Sequence, residues 1–293
     1  MIEAKGLSMA YSGGKGVFDL DFSIAQGEAF GYLGPNGSGK TTTIRLLMGF
    51  MRPDRGSCGI GGLDCWKDSA AIKRGLGYLP GELALFDELT GTGFIKLLLE
   101  LRGLRSLKRA NGLCDRLNLD PSGRIKRMSK GTRQKLAIVA AFAHDPSVYL
   151  LDEPTSGLDP LMQNVFIELV LEEKRAGKTF LLSSHNFEEV DRSCDRAAIL
   201  REGRLVAVEE MAKLKAEQRM SYIVKLAVPE DARKLREAGI EIVRQTNGDV
   251  EVLVGGDYNT FFKALSGCDV KGLYHGGRDL EQAFLKYYGK EAV

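Results

Sequence analysis

The sequence predicts an α/β fold whose core is a mainly parallel sheet, followed by a second, smaller α+β domain. Short apolar runs alternate with stretches of helical spacing through residues 1–208, and a different order of strands and helices follows from residue 209. The length of 293 residues suits one large domain plus a small one. We therefore expect two domains, at residues 1–208 and 209–293.

The elements of the first domain can be placed in order. Residues 3–33 predict short alternating strands around a glycine-rich turn, and the last strand, at residues 29–33, runs into a glycine-rich loop. Strands that alternate with helices indicate a parallel core sheet. We predict helical stretches at residues 41–48, 92–119, 131–143 and 160–175, and further strands near residues 75–79, 148–151, 179–182 and 197–200.

The sequence of the second domain predicts a different arrangement of strands and helices. Its elements follow the order β-α-β-β-α-β with one more helix, which is the split βαβ pattern of a ferredoxin-like fold. The predicted strands lie at residues 222–228, 240–244, 250–254 and 270–274, and the predicted helices at residues 230–238, 259–266 and 278–288.

Composition argues against several classes of protein. The formal net charge of +2 gives no reason to expect a nucleic-acid partner. No apolar run approaches the roughly 20 residues that a membrane-spanning helix needs, so we expect any spanning to be done by another chain. The five cysteines are dispersed without a C-x-x-C pair, which favours a reducing cytoplasm. They are Cys58, Cys65, Cys114, Cys194 and Cys268.

The loop after the predicted strand at residues 29–33 fits the P-loop pattern. Its glycines let successive backbone N–H groups turn toward one anion, and the following helix adds its positive end. A lysine at the end of the loop can reach outer phosphates, and a threonine hydroxyl can bind magnesium. The alternative is a plain glycine-rich turn. The predicted nucleotide-binding residues are Gly34, Pro35, Asn36, Gly37, Ser38, Gly39, Lys40, Thr41 and Thr42.

An apolar strand at residues 148–151 ends in two acids, Asp152 and Glu153. A buried strand has to end where water or a cation compensates such charges, and the magnesium of a nucleotide is one such cation. We therefore predict that Thr41 and Asp152 bind Mg2+ and that Glu153 polarises the attacking water as a general base. The alternative is a solvated strand end before the turn at Pro154.

The stretch of residues 128–160 resembles an ABC ATPase. The resemblance implies that Ser129 and Gly131 belong to a signature segment that opens a helix facing the partner subunit's ATP. Ser129 also fits a simple helix N-cap. Asp159 resembles part of the loop that communicates across the dimer, and its alternative is likewise an N-cap.

Two further residues gain a role through the same resemblance. His185 follows a short apolar strand at the place of the family's switch histidine, which contacts the γ-phosphate, although a lone histidine there is otherwise structural. Tyr11 resembles the aromatic residue that stacks on adenine, and its alternative is a core aromatic. The histidines at positions 144 and 275 lack such a setting, and we expect them to be structural.

The sequence departs from the family pattern at two places. Gly81 stands where the family has a glutamine that touches magnesium and the attacking water, and the neighbouring Glu82 could substitute for it. In the signature, Lys130 replaces a glycine and Thr132 replaces a glutamine. These changes bear on rate and coupling rather than on ATP binding.

The resemblance covers about residues 1–208 and implies a P-loop NTPase domain of the ABC type, with an antiparallel β subdomain and a helical subdomain. It implies that ATP and Mg2+ bind between two such ATPase subunits, in a homodimer or a heterodimer. The partner would be an integral-membrane permease, with this chain in the cytoplasm, peripheral on the inner face of the cell membrane. The segment at residues 279–289 resembles the tail of bacterial exporter ATPases for drugs, peptides or lipids.

Two alternatives remain open at this point. One is a soluble ABC ATPase that acts on nucleic acid or ribosomes, although such relatives usually carry tandem domains, coiled-coil insertions or zinc-binding cysteines that this sequence lacks. The other is a nucleotide-dependent regulator that hydrolyses ATP weakly, which Gly81 motivates.

Overall fold

A computed structural model describes residues 1–216, 220–255 and 258–278 of the chain. The chain divides into two compact units, one comprising Met1–Glu209 and the other beginning at Glu210. Along the described residues, no helix combines the length and the apolar character that crossing a membrane requires.

Strands and helices alternate along the first unit. Its strands are β1 (Ile2–Ala10), β2 (Gly16–Ile24), β3 (Ala29–Leu33), β4 (Arg55–Ile60), β5 (Leu63–Asp64), β6 (Leu76–Leu79), β7 (Val148–Asp152), β8 (Thr179–Ser184), β9 (Arg196–Arg201) and β10 (Arg204–Glu210). Its helices are α1 (Lys40–Leu47), α2 (Ser69–Arg74), α3 (Gly91–Leu101), α4 (Lys108–Arg116), α5 (Lys130–Phe142), α6 (Pro160–Arg175) and α7 (Phe187–Ser193).

The central sheet has the strand order β10-β9-β3-β8-β7-β6, and its pairings from β9 to β6 are parallel. This confirms the predicted parallel core. Strands β3, β7 and β8 are buried along their whole length, as near-continuous apolar runs in a covered parallel sheet should be. Because parallel strands all run the same way, Leu33, Asp152 and Ser184 lie at one edge of the sheet, with Leu33 opposite Ser184.

An antiparallel sheet of order β2-β1-β4-β5 packs beside this core. Its inward residues share one cluster with the strand and helix on either side of the glycine-rich loop: Ile2 and Leu20 pack with Phe30 and Ile44. Burying each such side chain stabilises the fold by about 1.5–3 kcal/mol. The cluster therefore fixes both ends of the loop.

The predicted helical stretch at residues 92–119 is divided between α3 and α4.

The second unit begins with α8 (Met211–Ala216) and then follows the predicted split βαβ order. Its sheet has the order β12-β13-β11-β14 with antiparallel pairings, and the cluster beneath it includes Phe261 and Leu235. The elements are β11 (Met220–Leu226), α9 (Ala232–Glu237), β12 (Glu241–Thr246), β13 (Asp249–Val254), α10 (Tyr258–Ser266) and β14 (Val270–Arg278).

The predicted final helix does not begin at Arg278. That residue ends β14 instead, because its backbone pairs with Met220 of β11. The rest of the predicted helix, and the tail at residues 279–289 that resembles exporter ATPases, lie outside the described residues.

Candidate functional site

The glycine-rich loop between β3 and α1 needs its glycines for close approach. A Cβ on Gly34 would lie 2.5 Å from the Leu200 carbonyl oxygen and 2.5 Å from Ser38 Oγ. Gly39, just before α1, has a φ of 107°, which L side chains rarely adopt. Ser38 Oγ is buried and has no hydrogen-bond partner among the described atoms. A glycine-rich loop at the start of a helix, with an unpaired buried hydroxyl, fits an anionic ligand.

Lys40 begins α1 and folds back over this loop. Its Nζ donates to the carbonyl oxygens of Gly34 at 2.6 Å and Pro35 at 3.3 Å, and it lies 3.2 Å from Glu153 Oε1. The side chain is almost fully buried, so the ammonium group is held at the mouth of the loop. It can neutralise a phosphate that enters there.

The predicted magnesium ligands lie side by side. Thr41 Oγ1 donates to Asp152 Oδ2 at 2.7 Å, and Asp152 is fully buried at the end of β7. Ser183, at the end of β8, donates to the other Asp152 oxygen. A hydroxyl and a carboxylate are oxygen donors of the kind that Mg2+ prefers, so this pair fits the metal. Ser183 was not predicted from the sequence, although its place at the end of a parallel strand was a usable signal.

Glu153 stands between a cation and an imidazole. Its Oε2 lies 2.6 Å from His185 Nδ1, while its Oε1 faces Lys40. Its φ is 49°, a left-handed conformation that costs a non-glycine residue about 1–3 kcal/mol. The backbone N–H of Glu153 donates to the carbonyl oxygen of Ser183 at 3.1 Å, which holds the strained turn. The carboxylate is thereby aimed at the mouth of the loop.

Tyr11 lies at the rim of this site. It is 37% exposed, and its hydroxyl donates to Met51 Sδ at 3.4 Å. A pocket of about 250 Å³ runs from this aromatic ring to Glu153. Its lining consists of Tyr11, Lys15, Gly16, Pro35, Asn36, Gly37, Gly39, Lys40, Thr41, Thr42 and Glu153. The structure thus brings the residue predicted to stack on adenine close to the residues predicted to bind the phosphates.

The predicted signature residues, and Asp159 of the loop predicted to communicate across the dimer, lie elsewhere. Ser129 caps α5 by accepting from Thr132 N at 3.2 Å, and Asp159 caps α6 by accepting from Met162 N at 3.0 Å. A Cβ on Gly131 would lie 2.9 Å from the Gly157 carbonyl oxygen, so the signature packs against the turn that follows β7. These residues do not line the pocket beside Lys40.

The two departures from the family pattern also have a definite place. A Cβ on Gly81 would lie 3.0 Å from Asp152 Oδ2, so position 81 adjoins the predicted magnesium ligand but carries no side chain. Glu82 is exposed. The aliphatic stem of Lys130 lies over Gly157, because a Cβ there would come within 3.2 Å of Lys130 Cδ.

A buried acid near the site was not predicted. Glu189, on α7, is 4% exposed, and its Oε2 accepts from Ser184 Oγ at 2.7 Å. The pKa of its carboxyl is raised to about 7, mainly by burial and also by the nearby Glu153. The available sequence signal was the spacing of Asn186 and Glu189, which resembles a capping box.

A strand, a P-loop and a helix, placed beside an acidic strand end, define a P-loop nucleoside triphosphatase. Comparison with known proteins narrows the class. A family model described as ABC transporter matches residues 17–156. Linearmycin resistance ATP-binding protein LnrL of Bacillus subtilis (strain 168) is 33% identical over 233 residues, which cover 78% of this chain and 75% of that protein. The chain belongs to the family of ABC transporter ATP-binding proteins, and it is an ATPase.

Further similarities agree with this membership. Daunorubicin/doxorubicin resistance ATP-binding protein DrrA of Streptomyces peucetius is 37% identical over 221 residues, which cover 73% of this chain and 67% of that protein. A solved structure described as the ATP-binding subunit of an ABC transporter is 33% identical, with a TM-score of 0.69 over 73% of this chain and 92% of that chain. These similarities favour a transporter subunit over an ATPase of nucleic acid or ribosomes.

Proposed function

We propose that residues 1–208 bind MgATP in the pocket between Tyr11 and Glu153 and hydrolyse it to drive export through a separate integral-membrane permease. The observation that carries the proposal is the convergence of Lys40, Asp152 and His185 on one edge of the parallel sheet. Ligands of open α/β sheets bind outside the carboxyl ends of the strands, which is where these residues lie.

The loop and Tyr11 account for binding. The backbone N–H groups of residues 36–42, which include the start of α1, would receive the phosphates, with Lys40 on the outer ones. The exposed ring of Tyr11 is available for the adenine base, and stacking of this kind is worth about 1–3 kcal/mol. The unpaired hydroxyl of Ser38 would gain a partner when phosphate enters.

Hydrolysis would depend on the acids and the histidine. Thr41 and Asp152 would hold Mg2+, which neutralises charge that develops on the phosphate oxygens. Glu153 would accept a proton from the attacking water, and its strained backbone keeps the carboxylate in place for this. His185, within hydrogen-bond reach of Glu153, would orient that carboxylate and contact the γ-phosphate.

The signature residues support a composite site. Ser129 and Gly131 open a helix, yet they do not line the pocket of their own chain. We propose that they, with Asp159, act on ATP bound by a second subunit, either another copy or a sibling chain. A helix N-terminus with a serine hydroxyl suits a phosphate.

The names of the relatives support export. LnrL and DrrA are named for resistance to linearmycin and to daunorubicin and doxorubicin. We propose that this chain serves a permease that exports a compound of the drug, peptide or lipid class. It would act in the cytoplasm, peripheral on the inner face of the cell membrane, with residues 209–293 as an accessory domain.

ATP binding and steady-state hydrolysis of the purified full chain test the role of Glu153. Glu153→Gln should bind ATP as the wild type does and should lower turnover by about 10²–10⁴-fold, because a carboxamide cannot accept the proton. Glu202→Gln is the matched control, since Glu202 has the same φ of 49° but is exposed.

Wild-type turnover in Glu153→Gln would contradict the assignment. ATP binding without measurable turnover in the wild type would instead favour the weakly hydrolysing regulator that Gly81 motivated.

A further inference from the structure

Glu189 is a buried carboxyl group without a cationic partner in the described structure. Ser184 Oγ donates to its Oε2, while its Oε1 has no hydrogen-bond partner among the described atoms. Burying a carboxyl group with one oxygen unpaired costs free energy, because no hydrogen bond replaces the lost hydration of that oxygen. Helix α7, which carries Glu189, packs tightly on β3. A Cβ on Gly31 of β3 would lie only 2.2 Å from Val190 Cγ1.

The hydrogen bonds of this carboxyl group enclose His185 on both sides. The backbone N–H of Asn186 donates to Ser184 Oγ at 2.9 Å, and Ser184 Oγ in turn donates to Glu189. Ser184 precedes His185 and Asn186 follows it. The carboxyl group therefore sets the backbone from which the imidazole reaches Glu153 at 2.6 Å.

We propose that Glu189 is a positioning residue for ATP hydrolysis, which holds His185 against Glu153 through Ser184 and Asn186. This inference depends on the proposed roles of Glu153 and His185. Glu189 does not itself line the nucleotide pocket. Its effect is on the orientation of the two groups that act on the attacking water, where small misplacements reduce the rate strongly.

The protonation state of Glu189 supplies a readout that packing alone would not. Its pKa is raised to about 7, chiefly by burial and to a lesser extent by Glu153, against the lowering effects of Ser184, Thr155 and, least, His185. The Cys194 thiol, directly after the last residue of α7, also interacts electrostatically with it. Below this pH the acid is neutral, and above it a second anion adjoins Glu153. We expect kcat to fall as pH rises through about 7.

The test compares Glu189→Ala and Glu189→Gln with a matched control, Glu188→Gln, on the same turn of the helix but exposed. Steady-state ATP hydrolysis of the full chain is measured between pH 6 and 9, together with ATP binding and thermal unfolding. Glu189→Ala should lower kcat by about tenfold or more and leave KM for ATP within about threefold. Glu189→Gln should keep the activity seen at low pH and remove the decline through pH 7.

Infrared titration adds a measurement that does not depend on turnover. The absorption of a protonated carboxyl should disappear in the wild type with a midpoint of about pH 7 and should be missing in Glu189→Gln. Glu189→Ala with unchanged kcat, or Glu189→Gln with an unchanged pH profile, would overturn the proposal. If the wild type hydrolyses ATP and Glu153→Gln does not, such a result rejects the role of Glu189 alone.

Discussion

The nucleotide site depends on residues whose identity is visible in the sequence but whose conformation is not. Glu153 follows β7 with a φ of 49°, and this left-handed turn directs its carboxylate between Lys40 and His185. The sequence predicted the acid and its role from the apolar run before it. No propensity predicts a left-handed glutamate, because the strain is tolerated only through contacts with β8.

His144 gives a prediction at the residue scale. Burial, with Arg102 nearby, lowers the pKa of its imidazole to about 4, and its Nε2 lies 3.1 Å from the Leu76 carbonyl oxygen. The folded chain therefore holds this histidine neutral. Below the usual pKa of 6.5 the unfolded chain binds a proton at His144 that the folded chain does not. The free energy of unfolding is therefore highest above pH 6.5 and falls as pH drops toward 4.

Urea unfolding at pH 7.5 and pH 5 checks this expectation in the wild type and in His144→Gln. Because the ring is partly exposed, the wild type should lose on the order of 1 kcal/mol more than the variant between these two conditions. Equal losses would mean that His144 is protonated in the folded state.

At the scale of elements, the strands were predictable because buried parallel strands are apolar runs bounded by glycine or acid. Strand β7 and the helix that starts at Lys40 match their predicted positions closely. Ser183 and Glu189 were missed because a strand end and a capping-box spacing do not by themselves indicate a nucleotide site. Their importance comes from the neighbouring strand ends of the parallel sheet, which the sequence alone does not pair.

The contact between β3 and α7 gives a prediction at this scale. Gly31→Ala should destabilise the fold by about 1–3 kcal/mol, because its Cβ would lie 2.2 Å from Val190 Cγ1. Gly112→Ala is the control: nothing lies within 4 Å of its Cβ, and alanine in the middle of α4 should stabilise by about 1 kcal/mol. Urea unfolding measures both changes.

Removing the opposing methyl groups provides a second check. Gly31→Ala combined with Val190→Ala should be more stable than the sum of the two single effects, since the two sites touch. Simple additivity, or a Gly31→Ala protein as stable as the wild type, would contradict the close packing of α7 on β3.

At the scale of the whole molecule, the sequence predicted an ABC-type ATPase unit and a split βαβ unit, and both folds are present. Ordered motifs made the first fold predictable. The second followed from alternation of strand and helix alone, with its strand ends shifted by a few residues because hydrogen-bonded pairing, and not composition, decides where a strand ends. The wrongly predicted helix start at Arg278 has the same cause.

The central claim is a composite ATP site, in which Ser129 and Gly131 of one subunit act on ATP held by the P-loop of another. Glu153→Gln should bind MgATP without hydrolysing it, so that a closed pair persists. The most direct measurement is the mass of this variant by size exclusion with multi-angle light scattering, with and without MgATP. We predict a monomer that becomes a dimer only with MgATP. A variant that binds ATP and remains a monomer would contradict closure between two copies of this chain.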